Sequence, residues 1–172
     1  IQRSTIKMDR GYIYLNKNNY LHNIEVLKNL SKKELCLVVK ANAYGHGLEW
    51  AVKNAKESGV KWFAVASVGE GIQVKTVYGE SRVLLLAEPS KNQLENVKVN
   101  DIDLTVYSES FIDTLIKTGD EYNVHLKIDT GMHRLGCPPE KFHDLYKKIV
   151  DSNLNLIGIC THFPLADTDE NE

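Results

Sequence analysis

The sequence is poor in cysteine, and the cysteines it has do not form a pattern. Cys36, Cys137 and Cys160 are an odd number, with no Cys-x-x-Cys spacing. That excludes a disulfide-stapled scaffold and a paired-cysteine metal or redox motif. Cys36 and Cys160 lie inside apolar runs and read as buried thiols, which suits a reducing compartment. A glycosylation pattern at Asn29-Leu30-Ser31 stands alone, with no other sign of secretion. No apolar run approaches a membrane-spanning length, and no signal peptide is visible. Charge of one sign is lacking too: 21 Lys and Arg against 23 Asp and Glu leave a net −2. That balance offers nothing to nucleic acid or an anionic membrane.

Further absences narrow the fold. No internal repeat, low-complexity tract or long linker interrupts the chain. Six histidines are present, but His125, His133 and His143 have no zinc spacing and no grouped thiol or carboxylate, so no metal is expected. A Ser-His-Asp or Cys-His arrangement has no local signature. There is no G-x-G-x-x-G after the first buried strand, which counts against a dinucleotide-binding sheet.

What is present is an alternation. Strand-length apolar runs occur at 35–39, 62–66, 83–86, 103–107, 124–128 and 156–160. Most are continuous rather than alternating, as in parallel strands covered on both faces. Helical spacing lies between them. Leu48, Ala51, Val52 and Ala55 lead to a stop at Gly59, and a further segment runs from Gly69 to Val77. Leu94 and Val97 follow Pro89-Ser90. Ser108 or Ser110 caps a segment with Phe111, Leu115 and Ile116 that Gly119 ends. Pro138-Pro139 opens another with Phe142, Leu145 and Ile149, proline being free of cost in a first helical turn. Leu21, Ile24, Leu27 and Leu30 give an amphipathic helix upstream. Strand then helix, six times, is the grammar of a parallel α/β fold. A lysine rather than a glycine-rich turn ends the first run, which favours a (β/α)8 barrel.

Three strand ends carry chemistry, and barrels keep their active sites there. The first is Val38-Val39-Lys40-Ala41-Asn42-Ala43-Tyr44-Gly45-His46-Gly47. A lysine among apolar neighbours loses solvation, its pKa falls, and its amine becomes a nucleophile fit for a Schiff base. The competing reading is a lysine that snorkels to the sheet edge. The second is Lys127-Ile128-Asp129-Thr130-Gly131-Met132-His133-Arg134-Leu135-Gly136. Arg134 there can give paired hydrogen bonds to an anionic oxygen. Lys127 and Asp129 alternate with apolar neighbours and can equally form a buried ion pair with each other. The third is Thr161-His162-Phe163, where a lone histidine has a structural role as often as a catalytic one. The acidic 167–172 tail reads as solvated loop or a ragged end.

Together these motifs resemble the alanine racemase family. The block 38–47 is similar to that family's pyridoxal-phosphate attachment segment nearly letter for letter. Tyr12–Asn16 with Leu21–Ile24 looks like the opening strand and first helix. Phe63–Ser67 with Glu70-Gly71 looks like the next pair, and Lys127–Gly136 and Thr161–Phe163 follow in order. The resemblance implies pyridoxal 5'-phosphate as cofactor, held by Lys40 as an aldimine, with Lys40 also one of two bases acting on the α-proton. Tyr44 would reach the cofactor phosphate. Arg134 would bond its phenolic oxygen, His162 would pack against its ring, and Val38 and Leu86 would line its edge. Lys127 matches a lysine carbamylated in some members, the carbamate holding Arg134.

The family resemblance also implies a homodimer, whose second base is a tyrosine from the partner subunit. The substrate it implies is alanine, or serine as in vancomycin-resistance racemases tethered to a membrane domain. Interconversion of L- and D-alanine would supply peptidoglycan precursors. The implied location is the cytoplasm, or the cytoplasmic face of such a tethered protein. A non-enzymatic pyridoxal-phosphate carrier, a Schiff-base aldolase and a decarboxylase barrel are the competing classes. A closed barrel takes about 250 residues, whereas six strand runs occur within 172. The expectation is therefore the N-terminal part of a barrel over 1–172, without the family's C-terminal β-domain and without turnover by itself. The start at Ile1 fits a domain of a longer protein.

Overall fold

The computed structural model describes residues 3–8 and 11–166, and the chain divides into two compact units, Ile1–Val83 and Leu84–Glu172. The acidic tail expected at 167–172 and the chain start at residues 1 and 2 lie outside the described residues.

The first unit opens with β1 (Arg3–Met8) and β2 (Gly11–Asn16), paired antiparallel as a separate two-stranded sheet. Asn16 then starts α1 (Lys17–Ser31) by accepting the Asn19 N–H, 3.1 Å away. β3 (Cys36–Val38), α2 (Lys40–Tyr44), α3 (Leu48–Glu57), β4 (Trp62–Val65) and α4 (Val68–Val77) follow. β3 and β4 pair in parallel, Cys36 opposite Trp62. Phe63, Val65, Val52, Ala55 and Val74 form the dry centre of the unit. Ser67 and Glu70 start α4 with a reciprocal capping box, which satisfies amide donors that a helix leaves orphaned.

The second unit continues from β5 (Arg82–Leu85), which crosses the division. After a 3-10 turn at Lys91–Gln93 come α5 (Leu94–Val99), β6 (Asp103–Val106), α6 (Glu109–Thr118) and β7 (Asn123–Lys127). A second 3-10 turn at Pro139–Lys141 leads to α7 (Phe142–Val150) and β8 (Asn155–Cys160). Ser108, not Ser110, caps α6 by accepting the Phe111 N–H, and Gly119 closes it at φ 74°. Leu104, Val106, Val124 and Leu126 point to one face of the sheet and are fully buried. The opposite face is polar, with Asp103, Thr105 and His125 buried on it.

The strands of the main sheet follow chain order, β3-β4-β5-β6-β7-β8, and run parallel. This is the α/β architecture expected, with each of the six strand runs reproduced to within about a residue at either end. The opening strand of the resemblance, 12–16, is real but belongs to the separate antiparallel pair. Two thiols depart from expectation. Cys36 and Cys160 are half-exposed, and Cys137 is the buried one. Cys36 and Cys160 lie on the outermost strands of the sheet order, where one flank has no neighbouring strand among the described residues. No helix among the described residues is long and apolar enough to cross a membrane.

β7 and β8 meet with almost no clearance. A Cβ at Gly158 would stand 2.2 Å from His125 Nδ1, and His125 is itself buried. At Gly69, on α4, a Cβ would meet nothing within 4 Å. Gly158→Ala should therefore destabilise the protein by about 1–3 kcal/mol through overpacking. Gly69→Ala should raise stability by up to about 1 kcal/mol by helix propensity. Urea midpoints of the two variants measure both; a neutral Gly158→Ala would contradict the packing described.

Candidate active site

In the first unit, the segment after β3 controls the geometry. Val39 is buried and prolongs the pairing by one bond, its N–H reaching Ala64 O at 2.9 Å. Lys40 comes next, half-buried. Then the backbone turns left-handed for four residues: Ala41, Asn42, Ala43 and Tyr44 have φ of 51°, 55°, 52° and 53°. For residues with a Cβ this costs about 1–2 kcal/mol each, so the segment between β3 and α3 is a strained turn. Bonds hold it from several sides. Ala43 N–H reaches Val39 O at 2.8 Å, and Gly47 N–H reaches Asn42 O at 2.9 Å. Asn42 Oδ1 accepts the Leu48 N–H at 2.8 Å, which also starts α3. Gly45 and Gly47, at φ 87° and 90°, release the chain into that helix.

Glu70 is a residue that the site depends on and that sequence reasoning named only within a family resemblance. Its Oε2 accepts from Ala66 N–H at 2.9 Å and Ser67 N–H at 3.2 Å. Its Oε1 accepts the Ala41 N–H at 2.6 Å. The Ser67-x-x-Glu70 spacing is legible as a helix start, but the second bond, to a residue 29 positions away, has no local signature. The outcome is that Tyr44 stands 61% exposed on the turn and Val38 is 42% exposed at the strand end. The Lys40 and Tyr44 side chains carry no hydrogen bond or ion pair among the described residues.

The second unit repeats this design at other strand ends. After β7, Cys137 returns to pair beside the strand, donating to Lys127 O at 2.8 Å and accepting from Asp129 N–H at 2.9 Å. That closes a loop over 129–136. Gly136, at φ 137°, sits where a Cβ would come within 2.5 Å of Asp129 N, so no other residue fits. Inside the loop, Asp129 Oδ1 accepts the Gly131 N–H at 3.0 Å and the His133 N–H at 2.9 Å. Its Oδ2 lies 3.2 Å from His133 Nδ1. The Lys127–Asp129 ion pair left open by the sequence is therefore not formed, because the carboxylate is spent on its own loop. These amide bonds hold the Asp129 carboxyl below the usual aspartate range.

Arg134 is exposed on this loop and His162 is exposed just after β8. Thr161, beside His162, bonds Thr130 at 2.7 Å and Ile128 O at 2.8 Å, joining the two strand ends. Lys127 is half-buried and stands next to Cys160 across the β7–β8 pairing. Burial pushes the Cys160 thiol up, with the Lys127 ammonium pulling the other way. Leu86 is half-buried just after β5. Two residues on, the Glu88 carboxylate accepts from Tyr107 N–H and Ser108 N–H at 2.8 Å each, and from Ser108 Oγ at 2.7 Å. The Lys127, Arg134 and His162 side chains make no hydrogen bond or ion pair among the described residues.

Comparison with known proteins places this geometry. A family model described as the N-terminal domain of alanine racemase matches residues 15–172. The alanine racemase of Treponema denticola is 38% identical over 161 residues, 89% of this chain and 42% of that protein. An amino-acid racemase of Enterococcus faecalis is 34% identical over 168 residues, 96% of this chain but 24% of that protein. The crystal structure of alanine racemase from Oenococcus oeni matches with TM-score 0.82 at 30% identity, covering 90% of this chain and 47% of that one. The chain thus spans less than half the length of the curated relatives it matches.

The Asp129 loop gives a pH test. A depressed folded value means that its bonds are at full strength above the unfolded value of about 3.9, and are lost as pH falls through the lower folded value. NMR shifts of the Gly131 and His133 amides should titrate with a midpoint below that of an unfolded aspartate. Asp129→Asn should abolish the step. A midpoint at or above the ordinary value would contradict the bonding described.

Proposed function

Because this chain belongs to the alanine racemase family, we propose that it is the N-terminal part of a pyridoxal-phosphate-dependent racemase that interconverts L- and D-alanine. Its six β/α units are of the (β/α)8-barrel type, and residues 1–172 are read as the first part of that barrel. The single observation that carries the proposal is Lys40. It follows β3 and the buried Val39, and the next four residues hold a left-handed turn; its amine is unpaired among the described residues.

The residues fit the cofactor by their chemistry. An amine, a phenol, a guanidinium and an imidazole stand at or just beyond strand ends without partners among the described residues, and such donors suit phosphate and phenolate oxygens. Lys40 Nζ would be the covalent anchor, Tyr44 would meet the phosphate and Arg134 the phenolic oxygen. His162 would lie against the ring, and Val38 and Leu86 would line its edge. The cofactor, when bound, supplies the electron sink that makes the substrate α-hydrogen acidic.

The chain's own residues do the rest. Lys40 Nζ takes and returns the hydrogen on one face of the α-carbon, acting as general base and then general acid. Exchange of configuration needs a second base on the opposite face. We assign that role to a tyrosine from a second domain of the partner subunit in a homodimer of the full-length protein, so residues 1–172 by themselves should not turn over. The Lys127 ammonium would first lose a proton, and its free amine would then add carbon dioxide and release a second proton. The resulting carbamate anion would hold Arg134 by paired hydrogen bonds. D-Alanine for peptidoglycan precursors is the proposed use, in the cytoplasm. One second reading has serine as substrate, in a protein that also carries a membrane domain; the enterococcal relative's name, amino-acid racemase, specifies no one amino acid.

Two measurements check this. Full-length protein mixed with pyridoxal phosphate, reduced with borohydride and digested should carry the label on Lys40; a label on any other residue would overturn the assignment. Conversion of L-alanine and L-serine should then differ by about tenfold or more in kcat/KM, the faster one naming the substrate.

A further inference from the structure

Glu70 does more than start a helix. A capping box asks one oxygen of its third residue to accept the N-cap amide, and Oε2 does so, at Ser67 and Ala66. The other oxygen is turned away from α4 to the Lys40–Ala41 peptide, and that contact, at 2.6 Å, is the shortest of the three. It grips the first residue of the left-handed turn, beside the proposed anchor. Oε1 is thereby given to the Ala41 amide and Oε2 to the cap.

We propose that Glu70 is a positioning residue for Lys40, its carboxylate clamping the Lys40–Ala41 peptide so that the strained turn holds the lysine in its working place. The inference rests on the reading of Lys40 given above, but the clamp is a property of this chain's own backbone. A carboxylate is required, because both oxygens must accept. Glutamine has one accepting oxygen and one amide NH2. It can serve the cap, as glutamine does in other capping boxes. Its NH2 would then face the Ala41 N–H, donor against donor. The mutation separates the two jobs: Glu70→Gln keeps the helix start and removes the clamp. Ser67→Ala does the reverse, removing the Ser67 Oγ to Glu70 N–H bond and leaving the carboxylate in reach of Ala41.

The test uses the full-length protein in three forms: wild type, Glu70→Gln and Ser67→Ala. Hydrogen exchange at the Ala41 amide, which needs no cofactor, should speed up about tenfold or more in Glu70→Gln, the effect of losing a charge-assisted hydrogen bond. It should stay within about twofold of wild type in Ser67→Ala. The dissociation constant for pyridoxal phosphate, read from its absorbance, should rise by a similar factor in Glu70→Gln alone, with the unfolding midpoint of that variant no lower than that of Ser67→Ala. Unchanged Ala41 exchange in Glu70→Gln overturns the clamp. Faster exchange with unchanged affinity overturns its role in placing Lys40. Failure of wild-type protein to form any borohydride-reducible adduct overturns the functional reading instead, and the exchange result still decides the clamp.

Discussion

Four successive left-handed residues are the constraint on which the first unit turns. Ala41, Asn42, Ala43 and Tyr44 each carry a Cβ that disfavours this backbone. Together they cost several kcal/mol, on the order of the whole net stability of a domain. The turn therefore cannot be a by-product of folding. It persists because β3 feeds it, Asn42 ties it to the start of α3, and Glu70 ties it to the start of α4. What the strain achieves is placement: the chain reverses within a few residues of Lys40, and Tyr44 is set out in the open.

The second unit solves the same problem with less strain. Asp129 gathers two amides of its own loop, and Glu88 gathers two amides and a hydroxyl at the start of α6. In each case a carboxylate organises backbone rather than pairing with a lysine or an arginine. Lys40, Lys127 and Arg134 are accordingly left without internal counter-charges among the described residues. Each of these loops is held by its main chain, and its cationic side chains stay available to the proposed ligand. Such preorganisation avoids ordering the loops when a ligand arrives.

Much of this was legible in the sequence, for physical reasons. The strands β4 to β7 are apolar because they are buried, so composition located them. Serine at 108 and glycine at 119 mark α6 by capping chemistry that acts over three or four residues. Lys40 stood out because a lysine closes an apolar run there, although β3 itself proves half-buried rather than buried. The misses have equally clear causes. The left-handed turn is invisible to periodicity, since alanine, asparagine and tyrosine are ordinary right-handed residues elsewhere. The bonds of Glu70 to Ala41 and Glu88 to Tyr107 link residues far apart in sequence. Asp129 was open to pairing with Lys127 until the loop's path turned its oxygens inward. The half-exposed Cys36 and Cys160 follow from strand order, which apolar runs do not reveal.

Membership of the alanine racemase family and the unpaired amine at the end of β3 converge on one central claim: Lys40 moves the substrate's α-hydrogen. The direct measurement is isotope exchange in the full-length protein. L-Alanine incubated in deuterium oxide with pyridoxal phosphate should gain deuterium at its α-carbon as D-alanine accumulates, and Lys40→Ala should stop both, by about 100-fold or more. Racemisation by the Lys40→Ala protein at near the wild-type rate would contradict the account.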